Sequence, residues 1–146
     1  MGLLSALSVS ASGMAAQRTR AEVLVENLAN SETTRTPGGG PYRRKDVIFE
    51  SRAQGSPFAA VFQKELGALS TGVGVSEITV DQGEPEKRYV PGHPDADESG
   101  YVAFPRLSPA EDMVDLMGAT RGFQANVAAM SAVKDMIQRS IDLMRG

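Results

Sequence analysis

SPAEDMVDLMGATRGFQANVAAMSAVKDMIQRSIDLM, residues 108–144, is the stretch that decides the fold. Within it Met113, Leu116, Thr120, Phe123, Val127, Met130, Lys134, Ile137, Ile141 and Met144 are spaced alternately three and four. That spacing predicts a helix with one continuous seam, apolar except at Thr120 and Lys134. The start is marked by Ser108 with Glu111 three residues on, a capping box, and by Pro109 at the first helical position. From Pro109 to Met144 the helix would run about 50 Å at a rise of 1.5 Å per residue. A small globular core cannot cover a seam of that length, so a second helix must lie along it.

The chain offers one candidate, in MGLLSALSVSASGMAAQRTRAEVLVENLAN, residues 1–30. Here Leu3, Leu7, Ser10, Met14, Gln17, Ala21, Leu24 and Leu28 keep a strict 4-3-4-3 spacing, and no proline interrupts them. Both stretches carry small or apolar residues outside the seam as well. Val9, Ala11, Ala15, Ala16, Val23 and Val25 do so in the first, and Ala119, Ala125, Ala128, Ala129, Ala132, Val133 and Met136 in the last. A helix that is apolar on more than one side is buried on more than one side. The surplus is therefore assigned to neighbouring chains. The competing reading is a coiled-coil adaptor that binds one partner helix and does not polymerise.

Between the helices lie most of the prolines and glycines. Val47–Phe49, Val73–Val80, Arg88–Val90 and Tyr101–Phe104 read as strands, with turns at 36–41 and 91–94 and a short helix over 56–69. The expected fold is α+β, with long terminal helices paired as an antiparallel, coiled-coil-like hairpin and a small β-rich middle domain. Residues 1–36 plus 108–146 would form the helical domain, and residues 37–107 the β-rich one.

Composition excludes several function classes. The chain has no cysteine and one histidine, which removes disulfide, thiolate and ordinary zinc chemistry. A net charge of −3 over 146 residues does not favour wholesale binding to nucleic acid. No apolar run reaches the ~20 residues that cross a bilayer, and the N-terminus has neither the basic region nor the continuous apolar core of a secretory signal. Three local patterns remain. Asp95, Asp97, Ser99 and Gly100 begin like a calcium loop, but Arg106 stands where a bidentate Glu should close it. An acidic turn with Gly100 at positive φ accounts for them better. Gly38-Gly39-Gly40 before Arg43-Arg44-Lys45 lacks the Gly-Lys-Ser/Thr ending of a phosphate loop. His93 is the sole imidazole, and no G-x-S-x-G elbow accompanies it. No catalytic residue, metal, cofactor or small-molecule substrate is expected.

Specific strings carry further than patterns. Ser10-Ala11-Ser12-Gly13-Met14-Ala15-Ala16-Gln17-Arg18 followed by Glu26-Asn27-Leu28-Ala29-Asn30 resembles the opening shared by flagellar rod and hook axial proteins. Thr33-Thr34-Arg35-Thr36-Pro37 and Gly39-Gly40-Pro41-Tyr42-Arg43-Arg44-Lys45 resemble the proximal-rod members of that family. So do Val90-Pro91-Gly92-His93-Pro94-Asp95-Ala96-Asp97 with Gly100-Tyr101-Val102, and Glu111 to Met117 with Arg121 and Gln124-Ala125-Asn126. The resemblance implies a structural rod subunit that polymerises through its terminal helices and transmits torque from motor to hook. The implied partners are other copies of itself, proximal and distal rod proteins, a rod-base adaptor and the flagellar type III export apparatus. It also implies assembly in the periplasm after export without a cleaved signal peptide.

Overall fold

The computed structural model describes residues 3–53 and 71–145. The short helix expected over 56–69 lies outside the described residues. Six elements follow one another: α1 (Leu3–Ala29), β1 (Lys45–Ala53), β2 (Thr71–Val80), β3 (Glu86–Tyr89), β4 (Tyr101–Phe104) and α2 (Pro109–Arg145). The α+β architecture expected from the sequence is the one observed.

Each boundary has a local cause. α1 ends where Asn30 turns back, its backbone N–H and its Nδ2 both donating to the Glu26 carbonyl, at 3.1 and 2.9 Å. Those bonds satisfy a carbonyl that the helix itself leaves open. α2 begins at Pro109, and the Ser108 carbonyl accepts the first helical bond from the Asp112 N–H at 3.0 Å. The strands form two antiparallel hairpins, each its own two-stranded sheet. β1 pairs with β2 from Lys45↔Val80 to Ala53↔Thr71, with a bulge between Ile48 and Phe49. β3 pairs with β4 from Glu86↔Phe104 to Tyr89↔Tyr101, where the two tyrosine rings meet edge to face at 5.4 Å. Gly100 takes the expected positive φ, 81°, and a Cβ there would come 2.8 Å from the Tyr89 ring.

α1 is the central element, packed against α2 and against both strands of the first hairpin. The Val73 N–H donates to Ser12 Oγ at 3.1 Å, fixing β2 to α1. The helices run antiparallel. Gly13 faces Asn126, Gln17 faces Gly122, and Arg20 reaches Asp115 at 3.5 Å. Extended to its start, that register brings Leu3 opposite about Met136, so Ile137–Arg145 run past the described end of α1.

The seam read for α1 is used only in part: of its buried residues Ser10, Ala16, Val23, Leu24 and Asn27, only Ser10 and Leu24 lie on that seam. Ser10 and Leu24 are buried, Leu7, Met14, Gln17, Ala21 and Leu28 half-buried, and Leu3 alone exposed. For α2 the expected seam needs correction. Asp112, Ala119 and Val133 are buried, and Asn126 is half-buried, whereas Met113, Thr120, Val127 and Lys134 are exposed. Leu116, Met130 and Ile137 stay half-buried as expected, while Phe123 is at the margin at 37% exposed. Every second seam position is thus one residue earlier than the apolar pattern indicates, about 100° around the helix. The heptad is real, but its phase is set by close approach and not by apolar bulk. A Cβ at Gly13 would sit 2.9 Å from Asn126 Oδ1 and force it to shift, and one at Gly122 would crowd Gln17 Cδ at 3.2 Å. Val127 would be too bulky beside Gly13, and Asp112 is drawn inward by an arginine described below.

Candidate assembly interface

The motif residues gather into one polar joint at the end where α1 finishes, β1 begins and α2 starts. Asn27 is fully buried. Its Nδ2 donates to the Lys45 carbonyl at 2.8 Å, and its Oδ1 accepts from the Lys45 N–H at 3.0 Å and from the Tyr42 hydroxyl at 2.9 Å. The side-chain amide therefore holds both backbone groups of the first residue of β1, as a neighbouring strand would. Lys45 Nζ returns to α1 through Glu26 at 2.5 Å. Next to it Arg44 Nη2 reaches Asp112 Oδ1 at 2.9 Å and Asp46 at 3.4 Å. Asp112 is fully buried and Arg44 is 28% exposed, so a partly buried charge pair ties α2 to the residue just before β1.

The electrostatics follow from this packing. Burial, reinforced by the nearby charges of Glu26 and Asp112, pushes the Tyr42 hydroxyl up to about 12 from 10.0. Burial opposes the charge of Arg44, but Asp112 and Asp46 outweigh it and raise its pKa. Every cation of the Arg43-Arg44-Lys45 run is held within the chain, since Arg43 Nη1 donates to the Asp81 and Gly83 carbonyls at 3.0 and 3.3 Å. These are structural ties between loops and strands, not a basic face turned to a phosphate.

The second motif loop is equally occupied. Asp95 accepts from Thr34 Oγ1 at 2.8 Å and pairs with Arg35 at 2.6 Å, clasping the 33–41 turn to the loop between β3 and β4. Asp97 Oδ1 accepts from the Ser99 and Tyr101 N–H groups, each at 2.9 Å. His93 Nδ1 accepts from the Asp95 N–H at 3.1 Å, and its ring lies tilted 6.3 Å from Phe104. Thr36 and Gly40 close the preceding turn, with the Thr36 N–H donating to the Gly40 carbonyl at 2.9 Å and both Gly39 and Gly40 at positive φ. Pro37, Gly92 and Pro94 are exposed in these turns, and Pro41 is half-buried.

The expected assembly residues divide. Leu7, Met14, Ala21, Leu24, Leu28, Leu116, Met130 and Ile137 are buried or half-buried on the single chain. Leu3, Met113, Phe123, Val127, Ile141 and Met144 are exposed on the single chain, Met113 at 61% and Met144 at 80%. Leu4, Val25, Val114, Met117, Met136 and Leu143 are exposed too and were not singled out by spacing. Of the C-terminal motif, Gln124 is exposed, whereas Asn126 packs on Gly13 and donates from Nδ2 to the Gly122 carbonyl at 2.8 Å.

Asp112 is the joint residue that sequence reasoning missed as a contact. An acidic residue in the first turn of a helix is favoured by the helix dipole and by itself predicts no contact. The available signal was an acidic residue next to the expected seam of α2, with an Arg pair far upstream. Among the described residues there is no cluster of three or more metal-ligating side chains, and no helix is long and apolar enough to cross a membrane.

The chain is similar in sequence to known proteins. Residues 98–143, which contain most of α2, match the family described as flagellar basal body rod FlgEFG protein C-terminal. The chain is 36% identical over 152 residues to the flagellar basal-body rod protein FlgC of Borreliella burgdorferi, covering 100% of both chains. It is 39% identical over 150 residues to FlgC of Bacillus subtilis, covering 98% of this chain and 99% of the relative. It is 36% identical over 143 residues to FlgC of an Escherichia coli O6:H1 strain, covering 98% of each. On full-length likeness of this kind, the chain belongs to the FlgC family of flagellar basal-body rod proteins.

Proposed function

We infer that this chain is a structural subunit of the bacterial flagellar basal-body rod, with a mechanical role and no catalytic one. The observation that carries the reading is the full-length likeness to FlgC proteins, in a chain whose two long helices leave apolar side chains on faces away from their mutual contact. The subunit polymerises through α1 and α2 and occupies the proximal part of the rod. Contacts between unlike faces that do not close into a ring propagate as a helical lattice. Torque passes from motor to hook because close-packed helices transmit strain with little compression. The β hairpins, tied to the helices by the Asn27–Tyr42–Arg44–Asp112 joint, set the orientation of the outer layer. The chain reaches its place through the flagellar type III export apparatus and assembles in the periplasm. Its partners are further copies of itself, proximal and distal rod proteins and a rod-base adaptor.

Complementation of a deletion strain tests this. Chains lacking residues 1–30 or 109–146 are expected to restore neither basal-body rods nor motility. Phe123→Ala or Val127→Asp should impair rod formation more than His93→Ala. A truncated chain entering rods at the normal level would refute polymerisation through the helices. Equal loss from all three point variants would instead point to a working site at His93.

A further inference from the structure

The two ends of α2 are chemically complementary. At its start Ala110, Val114 and Met117 fall at i, i+4 and i+7 and form one apolar stripe. A groove of ≈ 490 Å³ opens there, lined by Arg44, Ala110, Glu111, Val114 and Asp115. Val114 is 62% exposed within it. At the other end Leu143 and Met144 stand 84% and 80% exposed, beyond the reach of α1, with Arg139 and Arg145 beside them. Among the described residues neither arginine is in an ion pair, nor is Glu111 at the groove. Val114 and Met144 are about 45 Å apart along one helix at 1.5 Å per residue, so a chain cannot fill its own groove.

We propose that the groove at the start of α2 receives the C-terminal helix end of a neighbouring rod subunit, apolar side chains entering and a flanking arginine meeting Glu111. By the same rule this chain's own Leu143, Met144 and Arg145 enter the corresponding groove of the next subunit. The proposal rests on the rod-subunit reading and adds which surfaces meet. The occupant is a helix end of a related subunit because that end carries exposed Leu143 and Met144 with Arg139 and Arg145 beside them, the chemistry that the groove and Glu111 complement. The acidic rim also selects an end that carries a base. Apolar burial supplies the affinity, and the charge pair fixes direction so that ends cannot dock in reverse.

Photo-cross-linking in assembled basal bodies tests it. A photoreactive benzoylphenylalanine replaces Val114, or Ala110 where the first variant does not assemble. The expected product joins this site to the last turns of a neighbouring rod subunit's C-terminal helix. Glu111→Arg together with Val114→Asp, read from a probe at Ala110, should lower the yield on the order of tenfold, the loss of one buried apolar side chain and one ion pair. A probe at Met144 should conversely mark residues near the start of a neighbour's α2. Rods that form normally while the product maps to an α1-type helix or a β hairpin, or fails to form, overturn the docking and leave the rod reading intact. Absence of the tagged wild-type chain from basal bodies overturns the rod reading instead.

Discussion

Asn27→Asp offers a test in which pH separates two explanations of the same residue. Asn27 donates to the Lys45 carbonyl at 2.8 Å and accepts from the Lys45 N–H and the Tyr42 hydroxyl, with no exposure to water. A carboxylate of the same shape keeps both acceptor roles and loses the donor. Two oxygens then face each other where a hydrogen bond was, at a site already under the negative influence of Glu26 and Asp112. A protonated carboxyl would restore the donor. The folded-state pKa of the introduced carboxyl is therefore raised above the unfolded value of about 3.9. A raised pKa gives stability that is full below the unfolded value and is lost as pH rises through the folded one. At neutral pH the variant should lose about 2–4 kcal/mol, combining an unpaired buried carbonyl at roughly 1–3 kcal/mol with the burial of a charge. With a urea m-value of roughly 1–3 kcal/mol/M, the midpoint should fall by about 0.7–4 M. The assay is urea unfolding of the purified full chain between pH 4 and 8, read by circular dichroism for wild type, Asn27→Asp and Asn27→Ala. The gap between wild type and Asn27→Asp should widen steadily with pH, while the gap to Asn27→Ala stays level. An Asn27→Asp curve that tracks wild type at every pH, or a gap that ignores pH, would refute the joint as described.

Further outcomes follow from the same geometry. The Tyr42 hydroxyl, raised to about 12 from 10.0, gives stability that is complete below pH 10 and declines as pH approaches 12. Tyr42→Phe should therefore flatten the alkaline limb of a stability–pH curve relative to wild type, measured by urea midpoints from about pH 8 to 11. Asp112→Ala leaves Arg44 without its buried partner and should cost about 2–3 kcal/mol, below the range for fully buried pairs because the guanidinium is 28% exposed. Arg44→Met with Asp112→Leu should recover part of that loss in the same unfolding assay. Gly13→Ala places a Cβ 2.9 Å from Asn126 Oδ1. It should lower the melting temperature despite alanine's better helix propensity, worth about 1 kcal/mol. Adding Asn126→Ala should reverse the sign and leave the double variant at least as stable as wild type.

Periodicity alone made the terminal helices legible, but α1 also buries Ala16, Val23 and Asn27 off its expected seam, because it packs against both α2 and the first hairpin. The strands at 73–80 and 101–104 were legible too, because β-branched and aromatic runs bounded by Gly and Pro fit few other structures. The seam of α2 was read one residue out at alternate positions, since a pattern rule prefers Met113 to Asp112 and Val127 to Asn126. Apolarity records which residues tend to be buried. It does not record how closely two helices approach, and at Gly13 and Gly122 that distance selects small and hydrogen-bonding neighbours.

The sequence by itself determined two long helices, an α+β arrangement and, through ordered motif strings, the family. Those properties are local in the chain or are carried by residue identity. Only the tertiary structure decided that Asn27, Tyr42, Arg44 and Asp112 form one joint, because Arg44 and Asp112 meet across 68 positions of chain. It also decided which apolar residues of α2 turn toward α1 and which remain at the surface. Burial belongs to the packed pair of helices, and neither helix alone contains it.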